Sequence, residues 1–104
     1  MPYGLKKEII EKILELFSQY EEIDEAVLYG SRAKGNYKPG SDIDLSLKGD
    51  NLNLHIINKI SLDIDDLLLP YTFDISLYSH ITNPDLLAHI ARVGKTFYKK
   101  TKNF

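Results

Sequence analysis

Apolar residues recur along this chain with two different periods. From residue 5 to residue 20 they return every three or four positions, which is the spacing of one face of an amphipathic helix. Two later segments, residues 42–47 and 72–78, alternate between apolar and polar side chains, which predicts strands with one buried face. Residues 26–29 form a short apolar run followed by a turn signal, which predicts a buried strand.

Two more helices are predicted in the second half of the chain. Within residues 52–68, apolar side chains stand at helical spacing, at Leu54, Ile57, Ile60 or Ile64, Leu67 and Leu68. The last helix is predicted to begin at Pro84, with Asn83 as its N-cap, and to end at Gly94.

The end of the chain completes the predicted fold. Residues 96–98 are expected to add a short edge strand, and the lysine-rich tail at residues 99–104 is expected to fray. The sequence therefore predicts a single α/β domain over residues 1–104, in which helices flank a small mixed β-sheet.

A glycine and a serine follow the strand predicted at residues 26–29. Gly30 and Ser31 open a turn that presents backbone N–H groups. Glycine lets the main chain approach a ligand closely, and a serine that begins a short helix adds its hydroxyl and the positive end of the helix dipole, which suits a phosphate group. Arg32 could bind triphosphate oxygens as a bidentate fork, or it could be a solvated surface cation.

Two carboxylates, Asp42 and Asp44, follow this turn after a spacer of ten residues. Both project to one face of their predicted strand, roughly 7 Å apart. They repel each other unless a cation lies between them, and a hard divalent ion with oxygen ligands is the usual cation. A second Asp-x-Asp, formed by Asp63 and Asp65, falls within a predicted helix, so we interpret these two as solvated helix charges.

Asp74 supplies a third carboxylate. It alternates with Phe73 and Ile75, so it projects onto the polar face of Asp42 and Asp44 if the two strands are neighbours on one core. Such a cluster can hold two Mg²⁺ ions, which orient a nucleoside triphosphate and neutralise charge on the transferred group.

These residues resemble the signature of the DNA polymerase β-like nucleotidyltransferase superfamily, in which Gly-Ser, a spacer, Asp-x-Asp and a later Asp form the active site. The match is best with the minimal nucleotidyltransferase (MNT) group, small prokaryotic proteins that include the antitoxins of HEPN/MNT toxin–antitoxin modules. Members of that group typically show L-[FY]-G-S-R-A-[RK]-G, S-D-[IV]-D-L, a D-[IL]-x strand and I-x-x-x-G-x-x-[IVFL]-Y. The corresponding segments here are residues 28–35, 41–45, 74–76 and 90–98.

The resemblance implies a polymerase β palm-like fold and Mg²⁺-dependent transfer of AMP from ATP to a hydroxyl of a HEPN-domain partner, which silences a toxin. It assigns two groups of residues: metal binding and catalysis to Asp42, Asp44 and Asp74, and nucleotide binding to Gly30, Ser31 and Arg32. Two alternatives stay open. One is a non-catalytic antitoxin that occludes its partner. The other is a subunit that modifies a small molecule, disfavoured because no substrate-binding domain is appended.

Composition narrows the function classes. The net charge of −2 argues against a protein that clamps a nucleic-acid backbone. Without cysteine there is no thiolate metal site, and His55, His80 and His89 lack metal spacing, so we interpret them as surface or partly buried helix residues. No apolar stretch approaches the roughly 20 residues needed to cross a bilayer, and the first residues, Met-Pro-Tyr-Gly, lack the basic and apolar regions of a signal peptide. These features predict a cytoplasmic protein, with ATP and Mg²⁺ available.

Overall fold

The structure is a computed structural model that describes residues 1–101. A 3-10 turn at Pro2–Gly4 precedes the first helix, and a second at Tyr78–His80 follows the third strand. The helices are α1 (Lys7–Ser18), α2 (Gly30–Lys34), α3 (Leu54–Asp66) and α4 (Pro84–Val93), and the strands are β1 (Glu25–Tyr29), β2 (Ile43–Lys48), β3 (Phe73–Leu77) and β4 (Lys95–Lys99). None of the helices in this part of the chain has both the length and the apolar character needed to span a membrane.

The strands form one mixed sheet in the order β3-β2-β1-β4. β1 pairs antiparallel with both β2 and β4, whereas β2 and β3 run parallel. A parallel pair needs a crossover connection, which α3 supplies between β2 and β3. The predicted small mixed sheet flanked by helices is confirmed, and the edge strand expected at residues 96–98 is present within β4.

The main core lies on one face of this sheet. Alternation along β2 buries Ile43, Leu45 and Leu47 completely, and Ala26 and Leu28 of β1 join them. Helices α1 and α3 cover this face with apolar side chains at helical spacing, mainly Ile13, Leu16, Phe17, Ile57, Ile60 and Ile64. The predicted spacing of both helices therefore identifies the correct core face.

Helix α3 is shorter than its hydrophobic pattern predicts. It begins after Asn53, whose side chain caps the helix by accepting a hydrogen bond from the Ile56 N–H at 2.9 Å. Leu54 and Leu68, which the spacing assigned to the apolar face, are 55% and 88% exposed. Leu54 is the first residue of the helix and Leu68 lies beyond its end, and neither belongs to the apolar face.

Two further expectations need correction. Asp63 is not simply a solvated charge, because it accepts a hydrogen bond from the Tyr20 hydroxyl. Burial and this bond raise the pKa of Tyr20 to about 12. Fraying does not begin at residue 99, since Lys99 belongs to β4 and the Lys100 N–H donates at 2.9 Å to the carbonyl oxygen of the residue before β1. Residues 102–104 of the predicted tail lie outside the described residues.

The opposite face of the sheet is covered only in part. Helix α4 packs there on β1, where Ile90 forms a small cluster with Val27 and Tyr29. Burying one isoleucine side chain contributes about 1.5–3 kcal/mol, so this cluster is a modest attachment. The polar side chains of β2 and β3 point to the same face, and the residues predicted to form the site lie among them.

Candidate active site

Tyr29, Asp44 and Asp74 form a row across this second face of the sheet. Asp44 is the register partner of Tyr29 in the antiparallel β1–β2 pair and of Asp74 in the parallel β2–β3 pair. Because neighbouring strands lie about 4.8 Å apart, the carboxylates of Asp44 and Asp74 project from adjacent positions. Asp42 directly precedes β2. Asp42 and Asp74 are exposed, whereas Asp44 is half-buried.

Negative charge accumulates along this row. Burial raises the pKa of the Asp44 carboxyl, the charges of Asp74 and Asp42 raise it further, and His89 opposes them. Burial also raises the pKa of the Tyr29 hydroxyl, with added contributions from the charges of Asp74 and Asp44. Ionised Asp44 is therefore destabilised by its surroundings, a cost that a bound cation would relieve.

The donor set fits a hard divalent cation, because carboxylate oxygens are the ligands that Mg²⁺ prefers. Over residues 1–101, however, no three acidic or histidine side chains are gathered closely enough to hold an ion. This spacing is compatible with the raised pKa of Asp44, because charges influence one another over longer distances than metal coordination requires. The structure thus brings Asp44 and Asp74 side by side, with Asp42 in electrostatic reach, without a finished coordination shell.

The turn formed by Gly30 and Ser31 lies at the end of β1, against Asp44. Gly30 has a φ of +75°, in the left-handed region that favours glycine. A Cβ atom at this position would overlap the Asp44 carboxylate. A side chain at residue 30 would therefore strain the backbone and require the Asp44 carboxylate to shift, and the turn and the carboxylate row form one site.

Arg32 is not available to a nucleotide, so its predicted role in triphosphate binding is wrong. The side chain is 2% exposed. Its guanidinium donates to three backbone carbonyl oxygens, those of Tyr3 at 2.9 Å, Pro39 at 3.2 Å and Ser41 at 2.9 Å. It also faces two aromatic rings, with centroids 5.4 Å away for Tyr37 and 5.1 Å away for Tyr71. Because Ser41 immediately precedes Asp42, Arg32 instead fixes the loop that leads to this carboxylate.

The position of His89 could not be inferred from the sequence. Its Nε2 atom accepts a hydrogen bond from the Gly30 N–H at 3.0 Å, and a positive charge on its ring would lower the pKa of Asp44. The interpretation as a partly buried helix residue is correct for burial, but the side chain lies within the site. His55 and His80 are exposed. Only the packing of α4 on β1 brings residues 89 and 30 together, and no spacing within the sequence encodes that contact.

Solved structures with this fold include toxin–antitoxin complexes. A toxin–antitoxin complex with AMP-PNP has a TM-score of 0.68 and 18% identity, covering 92% of this chain and 75% of that chain. A mutant MntA–HpeT complex has a TM-score of 0.69 and 16% identity, covering 88% and 73%. The tri-AMPylated Shewanella oneidensis HEPN toxin in complex with MNT antitoxin has a TM-score of 0.66 and 15% identity, covering 92% and 74%. At these identities the likeness concerns the fold.

Sequence comparison gives the family directly. No curated protein matches the chain. Residues 11–103, which include the turn, the Asp-x-Asp pair and Asp74, match the family described as Polymerase beta, Nucleotidyltransferase. This chain therefore belongs to the polymerase beta nucleotidyltransferase family.

Proposed function

We propose that this protein is a Mg²⁺-dependent adenylyltransferase that moves AMP from ATP to a hydroxyl of a HEPN-domain partner protein, as the antitoxin of a toxin–antitoxin pair. The observation that carries the proposal is the adjacency of Asp44 and Asp74, which face solvent beside the Gly30–Ser31 turn in a chain of the nucleotidyltransferase family. We propose that it acts in the cytoplasm, where its nucleotide and its metal ion are both available.

The choice of acceptor is supported by one structural neighbour. In that complex, the HEPN toxin is tri-AMPylated and is bound to an MNT antitoxin. In this chain, Asp42 and Asp74 are exposed rather than enclosed in a pocket, so a hydroxyl on a large partner could reach them. A protein acceptor is consistent with such an open face.

The proposed nucleotide contacts come from the turn. Gly30 has no side chain to obstruct the approach of a phosphate, and Ser31 adds a hydroxyl donor. Asp42, Asp44 and Asp74 would hold the Mg²⁺ ions, which neutralise negative charge on the phosphates. Burial raises the pKa of Asp44, the charges of Asp74 and Asp42 raise it further, and a bound cation would relieve the repulsion among these carboxylates.

Transfer requires an aligned acceptor and a proton acceptor. The hydroxyl oxygen of the partner forms a bond to the α-phosphorus of ATP, the bond from that phosphorus to the bridging oxygen of the β-phosphate breaks, and pyrophosphate leaves. Asp74 accepts the hydroxyl proton, because it is the exposed carboxylate at the end of the row. Asp44, which is half-buried against Gly30, remains a fixed ligand.

Mass spectrometry of the partner tests this function. After incubation with ATP, Mg²⁺ and this protein, a cognate HEPN-domain protein should gain the mass of one or more AMP units. Asp74→Ala should abolish the addition, whereas Asp65→Ala, which removes an exposed carboxylate from α3, should leave it intact. A partner that is inhibited by complex formation yet stays unmodified would replace this proposal with the non-catalytic antitoxin.

A further inference from the structure

His89 joins α4 to the Gly30–Ser31 turn. Its Nε2 atom accepts a hydrogen bond from the Gly30 N–H at 3.0 Å, and its ring meets the Tyr29 ring edge to face, with centroids 6.2 Å apart. Because Nε2 accepts this bond, it carries no proton, and the ring proton lies on Nδ1. Over residues 1–101, no other side-chain hydrogen bond connects α4 to another helix or strand.

The turn depends on contacts from outside for its conformation. Glycine populates positive and negative φ with similar ease, so the φ of +75° at Gly30 is not fixed by the residue itself. The helix that follows has five residues, too few to hold its own first turn in place. A hydrogen bond to the Gly30 N–H restricts the peptide group that carries this φ.

The direction of the bond leaves the carboxylate side of the turn open. Helix α4 contacts β1 and α2, whereas Asp74 lies on β3, two strands away. The Gly30 N–H therefore points toward α4, and the row from Asp44 to Asp74 extends to the other side. A nucleotide could lie along that row while His89 keeps its bond to the turn.

We propose that His89 is a positioning residue for the nucleotide, which holds the Gly30–Ser31 turn in the conformation that receives the phosphates. The inference rests on the proposed function, because it presumes that this turn binds a nucleoside triphosphate. The imidazole acts through the turn and does not touch the reacting atoms. For this role, the residue at position 89 must place a hydrogen-bond acceptor as far from the helix backbone as the histidine Nε2 atom lies.

Two substitutions separate the acceptor from the packing. His89→Leu keeps an apolar side chain against Tyr29 but removes the acceptor, whereas His89→Gln returns an oxygen acceptor near the position of Nε2. His55→Leu, on the exposed side of α3, is the matched control for losing an imidazole. The probe is α,β-methylene ATP with Mg²⁺, which binds as a triphosphate but cannot transfer AMP.

Calorimetry and amide exchange give the readouts. His89→Leu should weaken binding of the probe about tenfold, the factor expected from losing one well-made hydrogen bond. It should also accelerate hydrogen exchange at the Gly30 amide. His89→Gln should restore most of the affinity and the protection, and His55→Leu should change neither.

Three results would overturn the inference. Tighter binding in His89→Leu would mean that the imidazole competes with the nucleotide for the Gly30 N–H. Unchanged affinity, or a glutamine variant that behaves like leucine, would leave His89 with a packing role alone.

If the leucine variant does not fold, His89→Gln and His89→Asn make the same comparison, since asparagine places its acceptor too close to the backbone. Wild-type protein that binds the probe but does not modify its partner would refute the proposed transfer and leave this inference standing.

Discussion

At the scale of single residues, two side chains of the same charge have different roles because their surroundings differ. Arg32 and Lys34 stand two positions apart on α2, yet Arg32 is buried and Lys34 is exposed. The planar guanidinium has five N–H donors in a fixed arrangement, which suits several carbonyl oxygens at once. Arg32 uses these donors to tie the N-terminal turn and the loop before Asp42 to α2.

Substitution of Arg32 should therefore lower stability. Arg32→Ala is expected to reduce the free energy of unfolding by about 3 kcal/mol or more, because three carbonyl oxygens lose their donor and the space of a buried side chain is left empty. Arg32→Lys should also destabilise the fold, since an ammonium group cannot reproduce the planar arrangement. Lys34→Ala is the control and should change stability by less than about 0.5 kcal/mol. Urea denaturation measures the effect. Unchanged stability with a selective loss of ATP affinity would instead support a role of Arg32 in nucleotide binding.

Asp44 differs from Arg32, because the ionised form of its side chain is unfavourable in the folded protein. Its pKa is raised by burial and by its acidic neighbours, so the folded state favours the protonated form. Its contribution to stability is largest below the unfolded pKa of about 3.9 and is lost as the pH rises through the folded pKa. Asp44→Asn does not titrate, so in EDTA at neutral pH it should be more stable than wild type by about 0.5–2 kcal/mol.

Urea denaturation at two pH values tests this prediction. The advantage of Asp44→Asn should shrink as the pH falls through about 4, because below the unfolded pKa the wild-type carboxyl is protonated in both states. Asp65→Asn, on the exposed surface of α3, should show no such gain. A variant that is less stable than wild type at neutral pH would mean that the ionised carboxylate makes a favourable contact in the fold.

At the scale of elements, local patterns predict strands and helices but not their meeting points. Alternation placed β2 and β3 within about two residues of their ends, because one buried face requires that period. The row of Asp44 and Asp74 follows from the same alternation once the strands are neighbours. Arg32 and His89 were misjudged because their partners lie in distant segments, at residues 3 and 30. Contacts between loops and helices depend on the assembled fold, which spacing within one segment does not describe.

The turn between β1 and α2 offers a prediction that separates backbone strain from steric overlap. Gly30 and Gly35 both have positive φ, but a Cβ atom overlaps a neighbour only at Gly30. Gly40 has an open surrounding and no positive φ. Gly35→Ala should cost about 1–2 kcal/mol, the price of a left-handed alanine, and Gly40→Ala should cost little. Gly30→Ala should cost more than Gly35→Ala and should also weaken ATP binding.

Thermal unfolding and calorimetry distinguish these contributions. The loss of ATP affinity should be confined to Gly30→Ala, because its side chain projects onto Asp44. Equal destabilisation by Gly30→Ala and Gly35→Ala would mean that the carboxylate moves aside at no cost. Equal ATP affinity in the three variants would separate the turn from the nucleotide site.

At the scale of the whole molecule, the two faces of the sheet are used differently. Helices α1 and α3 seal one face with the main core, whereas α4 covers only the β1 end of the other. The mutually repelling carboxylates lie on the less protected face, opposite the main core. The main core and the proposed active site therefore lie on opposite faces of the sheet. A ligand that binds to the open face should raise the stability of the fold without altering the core.

This separation leads to a prediction about the metal. A ligand that binds only the folded state stabilises it by about 2.7 kcal/mol at a concentration of 100 times its Kd. For a chain of 104 residues, that corresponds to an increase in Tm of about 10 °C or more. ATP should give this increase with Mg²⁺ or Mn²⁺ but not in EDTA, because the carboxylates repel the triphosphate unless a cation lies between them.

The control is the double variant Asp42→Asn with Asp44→Asn. Its Tm without ligand should rise as charge is removed, so the quantity to compare is the increase in Tm caused by ATP, which should be the same with and without Mg²⁺. Asp63→Asn and Asp65→Asn, the Asp-x-Asp of α3, should keep the wild-type response to Mg²⁺, because these carboxylates lie on the helix that covers the other face of the sheet. An equal increase for the wild type in EDTA and in Mg²⁺ would show that ATP binds through the turn alone, and the carboxylate row would then need another explanation.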